Sequence, residues 1–138
     1  MSFRDERQAQ AEFGERYAIT RVDTTLEIER RVIGAAWGTN GYTTRAQADE
    51  IGRRLQLGPG RRLLDVGAGR GWPGLYLAVE TGCDVVGTDM PFDALQEAHH
   101  RAEAEGLRGR AAVVAAAGSA QPFRPRSFDA VVLTDVLC

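Results

Sequence analysis

Leu63-Leu64-Asp65-Val66-Gly67-Ala68-Gly69-Arg70-Gly71-Trp72-Pro73-Gly74 is the stretch on which the fold of this chain turns. Its first four residues suit a buried strand. Glycine then stands at every second position, and from Pro73 a helical pattern begins. Without a Cβ the backbone can take positive φ and come close to a bound molecule. A strand that runs through such a loop into a helix marks a nucleotide-type cofactor site at the carboxyl end of a parallel strand.

Downstream, strand and helix alternate. The pattern predicts a first strand over Arg62–Val66 and a helix over Pro73–Glu80 with proline near its first position. A second strand, Cys83–Thr88, ends in Asp89. Phe92–Glu105 reads as a helix closed by Gly106, and Ala111–Ala116 as a third strand. After a loop from Gly118 to Ser127, Phe128–Leu133 is a continuous apolar run of the kind found in buried parallel strands. This alternation means an α/β parallel sheet with right-handed crossovers.

Upstream the period is helical. Ala9, Phe13 and Tyr17 give a narrow apolar stripe to a helix over Arg4–Tyr17. Thr24 and Glu27 have capping-box spacing, which starts a second helix with an apolar face of Leu26, Val32 and Ile33, ending near Gly34. Trp37–Tyr42 reads as a loop. Thr44 and Gln47 repeat the box, Ala48, Ile51 and Leu55 continue that helix, and Gly58-Pro59-Gly60 stops it.

The chain has 138 residues, 43% hydrophobic and 26% charged, as in an ordinary globular domain. A net charge of −2 points to neither nucleic acid nor an anionic membrane. All 17 basic residues are arginines, so lysine-based Schiff-base or general-base chemistry is excluded. Cys83 and Cys138 are far apart, and His99 and His100 lack partners at metal-site spacing, so no metal is expected. His99 and His100 read as part of a solvated helix face. The N-terminus is too polar for a signal peptide and no apolar run spans a membrane, so the expected location is cytoplasmic.

Two cofactor classes place a glycine loop after the first strand. Gly69-Arg70-Gly71-Trp72-Pro73-Gly74 matches the dinucleotide G-x-G-x-x-G literally, but it starts two residues beyond Gly67. Counted from Gly67, Trp72 holds the third glycine's place, and Pro73 removes an amide that a phosphate would need. The other class has an acidic residue before G-x-G-x-G, and Asp65 through Gly71 fits it at every position.

Here the chain resembles the class I S-adenosylmethionine-dependent methyltransferases, the seven-stranded Rossmann-like family, from roughly Ala46 to the end. Leu63–Gly71 is similar to the first motif of that family and Val85–Met90 to the second. Gln121-Pro122-Phe123 with Ser127–Val132 is similar to the third and fourth. The resemblance implies S-adenosyl-L-methionine as cofactor and strand order 3-2-1-4. It also implies that Asp89 accepts hydrogen bonds from the ribose hydroxyls and that Met90 lies against the adenine. Gly67, Ala68, Gly69 and Gly71 would let the backbone approach. Asp65 would help hold the methionine ammonium, with a loop-bracing carboxylate as the alternative. Ser119 and Ala120 stand where the family often has an acidic residue at the adenine edge. Leu133 and Thr134 would face the methionine end and the methyl group, and Asp135 either does so too or caps a helix. Tyr42, Thr43, Thr44 and Gln47 occupy the place of a flap, and Trp37 and Tyr17 read as core rather than pocket.

The expected architecture is thus a Rossmann-like parallel sheet with strands 3-2-1-4 present and the remainder of the seven-stranded sheet missing. Residues 1–42 form a helical N-terminal extension or lid, and residues 43–138 a methyltransferase core truncated after strand 4. The expected activity is direct in-line methyl transfer to a small-molecule acceptor, with no nucleic-acid or membrane partner and no catalytic base assigned. Alternatives are an NAD(P)-dependent oxidoreductase of Rossmann type and a non-catalytic cofactor-binding remnant.

Overall fold

The computed structural model describes residues 7–8, 11–12, 15, 23–39 and 41–136. The stripe of Ala9, Phe13 and Tyr17 lies outside the described residues. Helix α1 spans Asp23–Ile33 and α2 Arg45–Arg54, followed by β1 (Arg62–Val66), α3 (Gly74–Thr81), β2 (Asp84–Asp89), α4 (Phe92–Ala104), β3 (Ala111–Ala115) and β4 (Ala130–Val132). The four strands pair in parallel in the order β3-β2-β1-β4, the order that the resemblance implied.

Register explains the core. Leu63 lies beside Val85 and Ala130, and Val85 beside Ala111. This row faces α3 and α4; Leu63, Val85 and Ala130 form one buried cluster with Leu77, Ala78, Cys83, Ala98 and Leu107, and Ala111 packs against it half-buried. Helix α3 packs on β1 and β2, α4 on β2 and β3, and α2 on α3. The chain steps from β1 to β3 in one direction and then crosses to β4 on the far side of β1. The direction of winding therefore reverses between β1 and β4, where a crevice opens at the carboxyl ends of α/β sheets.

Several local expectations need correction. Thr24 is not the residue before a helix, because α1 already begins at Asp23. Val32 is 66% exposed, and the buried positions of α1 are Glu29 and Ile33. Pro73 precedes α3 as its N-cap instead of starting it. The apolar run Phe128–Leu133 contributes only three residues to the sheet, because β4 pairs with β1 alone. Gly34 ends α1 with φ 79°, and Thr44 and Gln47 form the full reciprocal capping box of α2.

Candidate cofactor site

The loop after β1 is tied to the end of β2. The Gly67 and Ala68 amides both donate to the Thr88 carbonyl, at 2.7 and 3.0 Å. The Gly69 amide donates to Asp89 Oδ2 at 2.7 Å, and the Met90 amide to Asp89 Oδ1 at 2.8 Å. Asp89 thus closes the glycine loop with a carboxylate that keeps spare lone pairs on each oxygen. Burial pushes its carboxyl up, while the Met90 and Gly69 amides pull it down.

Asp65 lies on the helix side of the sheet and is 1% exposed. Its Oδ2 accepts from the Gly74 amide at 2.9 Å, the first amide of α3. Burial pushes this carboxyl up to about 8, against the Gly74 amide, which pulls it down, with a smaller upward contribution from Asp89. A Cβ on Gly74 would stand 2.5 Å from Asp65 Oδ2. Glycine is therefore required there for the amide to reach the carboxylate.

The tip of β4 borders the loop. Leu133 is half-exposed and Thr134 half-buried. Asp135 accepts from the Thr43 hydroxyl at 2.8 Å and the Thr43 amide at 3.2 Å, which ties the strand tip to the segment before α2. The Val136 side chain fills the place a Cβ on Gly67 (φ 76°) would take. On the other side, Gly118 packs near Val66, with Ser119 and Ala120 exposed beyond it. The structure thus brings the Gly67–Gly71 loop against Asp89 and Met90 at the end of β2, with Ser119 and Ala120 in the segment after β3 and Leu133 and Thr134 directly after β4. Asp65 stands behind the loop.

Trp37 packs on Trp72 at 5.6 Å between centroids and Trp72 on Tyr76 at 5.0 Å, so Trp37 belongs to the core as expected. The Trp72 indole donates to the Thr43 carbonyl at 3.0 Å, and Tyr76 donates to Asp49 at 2.6 Å. His99 and His100 are exposed on α4. Among the described residues no group of three or more metal-binding side chains comes together, and no helix is long and apolar enough to cross a membrane. Sequence reasoning missed Glu29, Gly38, Arg70 and Glu97. These four join the segment before α2 to the glycine loop, and the only trace they left was an arginine between two loop glycines.

Residues 63–138 match the family model described as a methyltransferase domain. The rice (Oryza sativa subsp. japonica) 24-methylenesterol C-methyltransferase 2 is 34% identical over 129 residues, covering 85% of this chain and 36% of its own length. A methyltransferase from Streptomyces halstedii, GfsG, is 34% identical over 83 residues, 60% of this chain and 30% of its own. The chain thus spans about a third of the length of these curated relatives. Among solved structures, geranyl diphosphate methyltransferase with geranyl diphosphate and sinefungin superposes with a TM-score of 0.59 at 26% identity, over 64% of this chain and 33% of that one.

Proposed function

The chain belongs to the methyltransferase-domain family, and on that premise we propose that it holds S-adenosylmethionine, the cofactor of that family, for methyl transfer to a small molecule. The observation that carries the choice of cofactor is the start of α3. A pyrophosphate would need free amides at this helix terminus. Here Pro73 has no N–H, and the Gly74 amide is bonded to the buried Asp65 carboxylate. A second anion would find its donor taken and an acidic group behind it. A cofactor without phosphate, carrying an ammonium and a sulfonium, suits the same geometry.

In this reading Asp89 accepts from the ribose hydroxyls while keeping its bonds to Gly69 and Met90. Met90 lies against the adenine, with Ser119 and Ala120 at its edge. Gly67, Ala68, Gly69 and Gly71 let the backbone come within contact. Asp65 orders the loop through Gly74, and Leu133 and Thr134 border the methyl end. Residues 43–138 make the cofactor-binding core and residues 1–42 the lead-in to it.

When bound, S-adenosylmethionine supplies a methyl group on a positively charged sulfur, so the protein's task is chiefly alignment for direct in-line displacement. Small acceptors are favoured by the net charge of −2 and by relatives named for sterol and geranyl diphosphate methylation. Titration calorimetry with S-adenosylhomocysteine and NADH tests the assignment. Heat with the first and none with the second is expected; the reverse pattern would return the site to the dinucleotide class.

A further inference from the structure

Arg70 sits between the two central glycines of the loop, yet it is only 3% exposed. A guanidinium is almost never buried so fully unless it is paired. Its Nη1 donates to the Gly38 carbonyl at 2.5 Å, and its Nε lies 2.7 Å from Glu97 of α4 in an ion pair. A Cβ on Gly38 would collide with this guanidinium, so position 38 is shaped around it. The Gly38 segment is itself held by Glu29 of α1, whose carboxylate accepts from the amides of Trp37 (2.8 Å), Gly38 (2.7 Å) and Thr39 (3.3 Å). Arg101 of α4 stacks 4.2 Å over the Trp37 ring and bonds the Trp37 carbonyl at 3.4 Å.

Resting on the cofactor reading above, we propose that Glu29 and Arg70 are positioning residues that couple α1 to the cofactor loop. Glu29 orients three consecutive amides, which turns the Gly38 carbonyl toward Arg70. Arg70 then holds the loop in the conformation that offers the Gly69 amide to Asp89. Neither side chain has to touch the cofactor. Rigid-body docking of α1 and binding in the cradle share one set of contacts, and linkage requires each to favour the other by the same factor.

The test compares wild type, Glu29→Gln and Arg70→Lys in the full chain, by calorimetry with S-adenosylhomocysteine and by hydrogen exchange at residues 37–39 and 67–71. In Glu29→Gln one acceptor oxygen becomes a donor facing amides, and in Arg70→Lys a single ammonium cannot span Gly38 and Glu97. Each variant should weaken binding roughly five- to thirtyfold and speed exchange at 67–71, with β1 and β2 amides as slow as in wild type. Added ligand should slow exchange at 37–39 in wild type, a measurement that needs no variant and that a purely structural Glu29 would leave unmoved. The coupling is overturned if Glu29→Gln frees 37–39 while 67–71 and the affinity stay within about twofold, or if ligand leaves wild-type 37–39 unchanged. Should the wild type bind no S-adenosylhomocysteine at all, the cofactor reading fails, and the ligand-free exchange of Glu29→Gln alone decides the relay.

Discussion

Asp65 is 1% exposed and Asp89 is half-buried, although both stand at the carboxyl end of a strand on the helix side of the sheet. Asp65 faces the first turn of α3 and one amide, whereas Asp89 sits at the rim with two. Their titrations should differ accordingly. Burial raises the Asp65 carboxyl to about 8, above its unfolded value near 3.8, so the folded state holds the proton more tightly. The stabilisation from that proton is full below about pH 4 and is lost as pH rises through 8. Asp65→Asn keeps an oxygen for the Gly74 amide and removes the titration. Its unfolding midpoint should therefore fall less than that of wild type between about pH 5 and 8, and thermal melts across that range measure the difference in slope. For Asp89→Ala, loss of charge-assisted hydrogen bonds worth about 1.5–3 kcal/mol should weaken S-adenosylhomocysteine binding about ten- to a hundredfold. Unchanged affinity in calorimetry would take Asp89 out of the site.

At the scale of the element, the β1–loop–α3 unit was legible because each part has its own local signal: apolar run, spaced glycines, proline. What the spacing could not show is that Gly74 matters through Asp65, nine residues earlier. Gly74→Ala forces its Cβ against that carboxylate and should destabilise the chain by about 1–3 kcal/mol. Urea denaturation would read this as a lower midpoint with an unchanged slope, and a wild-type midpoint would mean that the Asp65–Gly74 contact can open without cost. The α1 pattern misled for a related reason. Apolar periodicity turned Val32 inward, but the inward place belongs to Glu29, compensated by amides eight to ten residues downstream. Periodicity registers apolar burial and is blind to a carboxylate buried by backbone donors. The β4 ladder is shorter than its apolar run because an apolar string does not say where its ladder partner ends.

Across the whole molecule, the two faces of the sheet are unequally clothed. The crossovers from β1 to β2 and from β2 to β3 run in the same direction, so right-handed connections place α3 and α4 on one face. The opposite row, Val131 beside Leu64, Leu64 beside Val86 and Val86 beside Ala112, has no described helix over it. Its consequence is clearest at β4, an edge strand with Val131 49% and Leu133 48% exposed. An apolar edge that the described residues leave exposed invites pairing with another chain, and a lysine is among the devices that blunt such edges. The chain should therefore self-associate with rising concentration, and Val131→Lys should shift it toward monomer in light scattering after gel filtration. Because Val131 supports no buried contact on the helix side, its stability in urea should stay within about 0.5 kcal/mol of wild type. A wild type that remains monomeric at every concentration, or a Val131→Lys variant that unfolds, would mean that this face is already covered within the chain.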